Sequence, residues 1–275
     1  MANFALCANS HSVEIRSANL DRSPCAGLWT YRVEEAAVSA SIGYNRAIDA
    51  TSEPVLVFAH HDVFLPAGWD LLLQARIAEV EAKDPDWAVI GAYGVAADGL
   101  GWGPVWSSSL GGFSGLVPLS PMPVRSLDEM LIVVRRASGV RFDDALPGWH
   151  LYGTDITLTA IAMGKGVYAG ALPCIHNDGL HIELGPDFDQ CYEYMCRKWR
   201  AVLPVGTPVT KLTSSRLHRM KQRYKLRKGS EFMKKVAVST DRDPEFLAAL
   251  CGWSDLSTSA RWLADHAGSP AGVKS

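Results

Sequence analysis

The chain has 275 residues, 48 % of them hydrophobic and 20 % charged, the make-up of a globular protein built as one large domain or one domain with appendages. A formal net charge of −2 argues against nucleic acid as a partner, and no apolar stretch approaches the ~18 residues that cross a bilayer. Six cysteines without a C-x-x-C pair read as reduced thiols, and the first residues, MANFALCANSHSVEIRS, carry no basic leader, so a soluble cytoplasmic setting is expected.

In chain order, residues 3–9 (NFALCAN) read as a first strand and residues 11–21 as a loop or short helix. Residues 26–33 (AGLWTYRV) have the aromatic and β-branched content of a second strand, and residues 36–50 read as a helix interrupted by Gly43. The run Val55-Leu56-Val57-Phe58-Ala59 is too short for a helix and apolar on both faces, which predicts a strand buried on both sides of a sheet. Pro66 suits the first position of the next helix, whose Trp69, Leu73, Ile77 and Val80 form one apolar stripe. Residues 87–92 are another buried strand. This alternation predicts an α/β fold with a mostly parallel central sheet flanked by helices.

The pattern then changes. Residues 97–123 are rich in glycine, serine and proline and read as a long functional loop. Residues 129–135 (EMLIVVR) restore a strand, and residues 154–163 a helix closed by Gly164. Residues 166–172 form a further strand that delivers His176, and Asp187 caps a helix running to about Val202. Beyond Pro208 the composition shifts, so residues 1–208 are read as the main domain and 209–275 as a basic, mainly helical C-terminal extension. Residues 211–235 carry ten Lys and Arg against the single acid Glu231, either as a wet surface or as a contact for anionic lipid or a polyanionic substrate. Residues 241–267 read as one or two short helices.

His60-His61-Asp62 places two imidazoles and a carboxylate at the carboxyl end of a buried strand, where open α/β sheets bind small molecules. The same triplet could simply cap the strand. Further along, residues 142–176 (FDDALPGWHLYGTDITLTAIAMGKGVYAGALPCIH) add more acids and a histidine. Four ordered pieces, Gly43-Tyr44-Asn45-Arg46, Phe58-Ala59-His60-His61-Asp62-Val63, Phe142-Asp143-Asp144 with Gly153-Thr154-Asp155, and His176, resemble glycosyltransferase family 2-like proteins of the GT-A (Rossmann-like) fold. The resemblance covers roughly residues 3–200 and is to a bacterial subgroup whose metal motif reads His-x-Asp-Val in place of Asp-x-Asp.

The resemblance implies a nucleotide-diphosphate sugar donor, a glycan, lipid-linked or protein acceptor, and a divalent cation, Mn²⁺ or Mg²⁺. A cation stabilises a departing diphosphate, and carboxylate oxygen with imidazole suits Mn²⁺. Asp62 and His176 are then the leading ligands, His60 stands where the motif's first acid would be, and His61 is left structural. Asp155, at a helix start, matches the family's base, although aspartate there is also an ordinary cap. Asp143 and Asp144 shape the preceding turn. Ala8, Asn9, Ser10, Glu34, Glu35 and Asn45 are the implied nucleotide contacts. Trp149 and His150 offer a flat face to an acceptor sugar or belong to the core; Trp102 lies in a glycine-rich stretch that borders the acceptor and lacks the Gly-Lys-Ser/Thr ending of a phosphate loop. The leading reading is an inverting, metal-dependent glycosyltransferase. The alternatives are a metal-assisted hydrolase built on His60, Asp62 and His176, and a non-catalytic sugar- or nucleotide-binding domain.

Overall fold

The computed structural model describes residues 4–177, 186–215, 217–218, 220–221, 224 and 243–266. Strand β1 (Phe4–Asn9) leads through α1 (Val13–Ala18) to β2 (Thr30–Glu34), and α2 (Ala40–Asp49) returns the chain to β3 (Val55–His60). The short β4 (Val63–Phe64) and α3 (Trp69–Lys83) lead to β5 (Trp87–Gly91). Six short strands follow: β6 (Gly94–Val95), β7 (Gly101–Trp102), β8 (Val105–Ser107), β9 (Gly112–Ser114), β10 (Met122–Pro123) and β11 (Ser126–Leu127). Then come β12 (Leu131–Arg135), α4 (Tyr152–Ala162), β13 (Gly166–Ala169), β14 (Cys174–His176), α5 (Pro186–Lys198), β15 (Val205–Gly206) and β16 (Lys211–Leu212). Two helices close the described chain, α6 (Pro244–Leu250) and α7 (Ser257–His266).

The central sheet has seven strands in the order β10-β13-β5-β12-β3-β1-β2. β1, β2, β3, β5 and β13 run one way, while β12 and β10 run against them. The reversal of β12 at the sheet's centre follows from its connection. Helical crossovers carry the chain back across the sheet and give parallel neighbours, whereas residues 92–130 contain no helix and return the chain to the carboxyl edge. Along β3 the side chains alternate between two cores, which is why its sequence is apolar from Val55 to Ala59. Leu56 and Phe58 face a core completed by Tyr44 of α2, Ile156 of α4 and Met195 of α5. Val57 and Ala59 face the other, completed by Leu73 and Val80 of α3 and by Leu256, Ala260 and Leu263 near the C-terminus. Each such fully buried Leu, Val or Phe contributes roughly 1.5–3 kcal/mol.

Three sequence expectations change here. The helix expected from Pro66 begins at Trp69, because Gly68, left-handed at φ 73°, lets the chain close against Ser257, whose backbone nitrogen lies 2.4 Å from where a Cβ would stand. Residues 97–123 do not form one long loop. They supply short strands to two small sheets, β11-β6-β7 and β4-β14-β8-β9. Gly101, Gly103 and Gly115 among them are packing devices rather than linkers: a Cβ on Gly103 would sit 1.8 Å from the Ala92 carbonyl oxygen. Finally, the strand at 166 ends at Ala169, turns through Gly170 and the left-handed Ala171 (φ 51°), and restarts as β14 in the second sheet. Most of the basic stretch 211–235 lies outside the described residues. Among the described residues no helix is long and apolar enough to cross a membrane.

Candidate metal centre

Two ladders bring three side chains together. β3 ends at His60, and the turn His61-Asp62 leads straight into β4. β14 pairs antiparallel with β4, setting His176 opposite Val63, and the Asn177 amide donates to the Asp62 carbonyl at 2.9 Å. Sequence separation of more than a hundred residues is thus cancelled by backbone register. His60, Asp62 and His176 each offer one ligand atom, all within 4.8 Å of one another. Asp62 Oδ1 lies 3.4 Å from His176 Nε2 and 3.9 Å from His60 Nδ1, and the two imidazole centroids are 5.5 Å apart.

Asp62 is buried, and its Oδ1 has no hydrogen-bond partner among the described residues. Burial works to raise its pKa, but the imidazoles of His176, His60 and His61 outweigh burial and hold the carboxyl below the usual carboxylate range. A buried, ionised carboxylate oxygen without a hydrogen bond, facing two imidazoles, fits a divalent cation: borderline nitrogen with hard oxygen is a donor set for Mn²⁺ or Zn²⁺.

His60 is held from behind. Its Nε2 lies 2.6 Å from the Tyr152 hydroxyl, which donates to the Glu129 carbonyl at 3.2 Å. Glu129 also takes the Leu151 amide on its carboxylate, and burial, with Asp128 beside it, pushes its carboxyl well above the ordinary value. Neither Tyr152 nor Glu129 was singled out by sequence reasoning. The signal was there for Glu129, an acid opening the buried run 131–134 as His60 closes its own.

The expected nucleotide contacts divide. Register sets Asn9 beside both Glu34 and His60 at the carboxyl edge. Asn9 donates to the Ala40 carbonyl at 3.1 Å, while its buried Oδ1 has no hydrogen-bond partner among the described residues. Ser10 hydrogen-bonds His61 Nδ1 at 3.1 Å, Glu34 pairs with Arg32 at 2.6 Å, and Ala8 is wholly buried and can offer only backbone. Glu35 pairs with Arg16 at 3.6 Å. Asn45 binds within the protein: its amide nitrogen is shared between the Phe142 carbonyl (2.8 Å) and Asp144 (2.7 Å), and its oxygen accepts the Phe142 amide (3.2 Å). It fastens the 142–144 loop, so its polar atoms are spent there.

Asp155, the expected base, is closely held. It sits in the first turn of α4 but is 1 % exposed, with Lys198 Nζ 2.9 Å from Oδ2 and Trp199 Nε1 2.7 Å from Oδ1. Burial raises its carboxyl above the usual value against the pull of Lys198 and Trp199. Lys198 also binds Asp143 at 2.6 Å, and Tyr194 donates to the same Asp143 oxygen at 2.7 Å. A general base needs an oxygen open to the acceptor; here both are taken by side chains of α5 and its C-cap. Of the expected acceptor residues, Trp149 is 40 % exposed, His150 stands 3.7 Å from Asp187 with its ring against Phe188, and Trp102 packs on the first core.

No family model matches the chain. A curated relative from Fuscovulum blasticum, described as ATP synthase subunits region ORF 6, is 31 % identical over 159 residues, covering 54 % of this chain and 61 % of that protein. The chain therefore spans under two thirds of that relative's length. Among solved structures, the mannosyltransferase PcManGT from Pyrobaculum calidifontis, in complex with GDP-Man and Mn²⁺, aligns over 96 % of this chain and 86 % of its own at 9 % identity and a TM-score of 0.46. S. aureus TarS in complex with UDP-GlcNAc aligns over 70 % and 64 % at 12 % identity and 0.41, and A197 from STIV over 63 % and 85 % at 12 % and 0.41. At such identities and scores, a functional reading has to stand on the geometry of this chain's own site.

Proposed function

We propose that this chain is a cation-dependent glycosyltransferase that takes a sugar from a nucleoside-diphosphate donor. One observation carries the reading: His60, Asp62 and His176 converge at the carboxyl edge of the sheet, in register with Asn9 and Glu34 on the neighbouring strands. The motifs at 43–46, 58–63 and 176 support the same family resemblance. The triad would hold the cation, Mn²⁺ in preference to Mg²⁺ because two of its three donors are imidazoles. The bound ion would neutralise charge on the departing diphosphate. Asn9, with Ser10 and Glu34 beside it at the carboxyl edge, would receive the nucleoside. The half-exposed Trp149 offers an apolar face to the acceptor, a glycan, lipid-linked or protein hydroxyl. One displacement at the sugar carbon, with inversion, is the course in this reading, and the charge run 211–235 favours an acceptor at an anionic membrane surface.

The donor set itself favours one competing reading. Two imidazoles and one carboxylate are also the ligands of hydrolytic zinc centres. Calorimetric titration of nucleoside diphosphates with and without Mn²⁺, on the wild type and on Asp62→Ala, separates the two. Mn²⁺-dependent nucleotide binding that Asp62→Ala abolishes is the expected result. Metal binding without affinity for any nucleotide would overturn the transferase in favour of the hydrolase.

A further inference from the structure

We propose that Tyr152 is a positioning residue that fixes the tautomer of His60, so that Nδ1 is the atom His60 presents to the cation. The inference rests on the reading of His60, Asp62 and His176 as a metal centre. A neutral imidazole has one N–H and one lone pair, and which nitrogen carries the proton is set by the partner of the other. The Tyr152 hydroxyl has a single proton, and we assign it to the Glu129 carbonyl at 3.2 Å, a partner that can only accept. Towards His60 Nε2, at 2.6 Å, the hydroxyl is then left as an acceptor, so Nε2 carries the ring proton and Nδ1 the lone pair. Nδ1 is the nitrogen on the Asp62 side, 3.9 Å from Oδ1.

The fold invests in that contact. Leu151, directly before Tyr152, is a non-glycine residue at φ 66°, and its amide is held by the Glu129 carboxylate. Glu129 therefore grips the start of α4 twice, through its carboxylate on Leu151 and its carbonyl on Tyr152. The Tyr152 ring is wedged edge-on against Tyr44 and Phe142, with centroids 5.7 and 6.0 Å away. The sheet fixes the other partner, because the His60 amide donates to the Met130 carbonyl at 2.9 Å, one residue after Glu129. Outer partners of this kind hold a ligand ring in one orientation, and losing one costs on the order of 10- to 100-fold in metal affinity.

The test compares wild type, Tyr152→Phe and Tyr44→Phe, each titrated with Mn²⁺ by calorimetry and each examined metal-free by ¹⁵N-detected imaging of the His60 ring tautomer in solution NMR. Tyr44→Phe deletes a hydroxyl that lies 3.4 Å from the Ala59 carbonyl and also meets the Tyr152 hydroxyl, and so asks whether this neighbour, rather than the Glu129 carbonyl, sets where the Tyr152 proton goes. The expected result is an Nε2–H tautomer in wild type and Tyr44→Phe, a mixed population in Tyr152→Phe, and Mn²⁺ binding weakened about 10- to 100-fold in Tyr152→Phe alone. Equal Mn²⁺ affinity in wild type and Tyr152→Phe would overturn the positioning role and leave the metal centre standing. Wild type that binds no Mn²⁺ would sink the metal reading instead, and the metal-free spectra would still decide the tautomer: Nδ1–H in the wild type overturns the assignment. Should Tyr152→Phe fail to fold, the wild-type spectrum makes that decision without it.

Discussion

Two buried charge clusters flank α4, and they differ in how completely they are satisfied. At the helix's start, Asp62 keeps an oxygen without a hydrogen bond while two imidazoles face it. Within the same first turn but on the α5 side, Asp155 spends both oxygens on Lys198 and Trp199, and Asp143 shares the same lysine, with Tyr194 also on it. A buried carboxylate is costly unless paired, so a fold that completes one cluster and leaves the other open reserves the open one for something that arrives later. The closed cluster ties α5 to α4; the open one is where chemistry has room.

The largest way to break that contrast is Lys198→Met. Removing the shared cation strands Asp155, at 1 % exposure, beside Asp143. Losing one partner of a buried pair costs about 3–5 kcal/mol; since the Lys198 side chain is 27 % exposed, the low end, about 3 kcal/mol, is expected in urea denaturation. Mn²⁺ affinity should stay at the wild-type value. A parallel Asp155→Asn should likewise act on stability. Were it to leave the melting temperature and Mn²⁺ binding intact while abolishing sugar transfer, Asp155 would be the base that the family resemblance implies, and the contrast would be wrong.

A smaller perturbation couples both clusters through the helix that separates them. A Cβ on Gly153 would lie 2.7 Å from the Leu127 carbonyl oxygen and 3.1 Å from the Asp128 carbonyl, backbone atoms with no rotamer to yield. Gly153→Ala should therefore cost about 1–3 kcal/mol. Because Tyr152 moves with α4, Mn²⁺ affinity should fall as well. A variant equally stable and equally tight for Mn²⁺ would show that the helix's seat is not what positions Tyr152.

Much of this was legible in the sequence, and the illegible part has a pattern. Local periodicity showed β3, β5 and the stripe of α3, since burial on one or both faces writes itself into adjacent residues. The triplet at 60–62 was visible as polar residues closing an apolar run. What sequence does not carry is pairing: that β14 leaves the main sheet to lie along β4, or that Asn45 reaches across to residue 142, depends on contacts about a hundred residues apart. Glycine misled for a related reason. Between residues 97 and 123 it reads as loop, yet Gly103 and Gly115 are there because strands pass too close for a Cβ, 1.8 and 2.1 Å from neighbouring carbonyl oxygens. Asp155 shows the limit of motif position: the right residue at the start of the right helix still depends on a lysine contributed from 43 positions away.

The finest test of the closed cluster is its response to acid. Within it, burial would raise the Asp143 carboxyl, but the hydrogen bonds from Lys198 and Tyr194 outweigh burial and hold it below the ordinary range. A carboxyl lowered on folding binds its proton less tightly in the native state than in the unfolded chain. Its contribution is therefore complete above the unfolded value, about 3.9, and is lost as pH falls through and below it. Asp155 is shifted the opposite way, so its own contribution fades as pH rises, and the whole-protein curve mixes the two. Subtracting the stability of Asp143→Asn from that of the wild type gives the contribution of Asp143 together with its effect on Asp155. That difference should favour the wild type near about pH 6 and shrink as pH falls below about 3.9. A difference that holds constant over this span would mean that Lys198 serves Asp155 alone, and that the network closing α5 onto α4 has one acid in it instead of two.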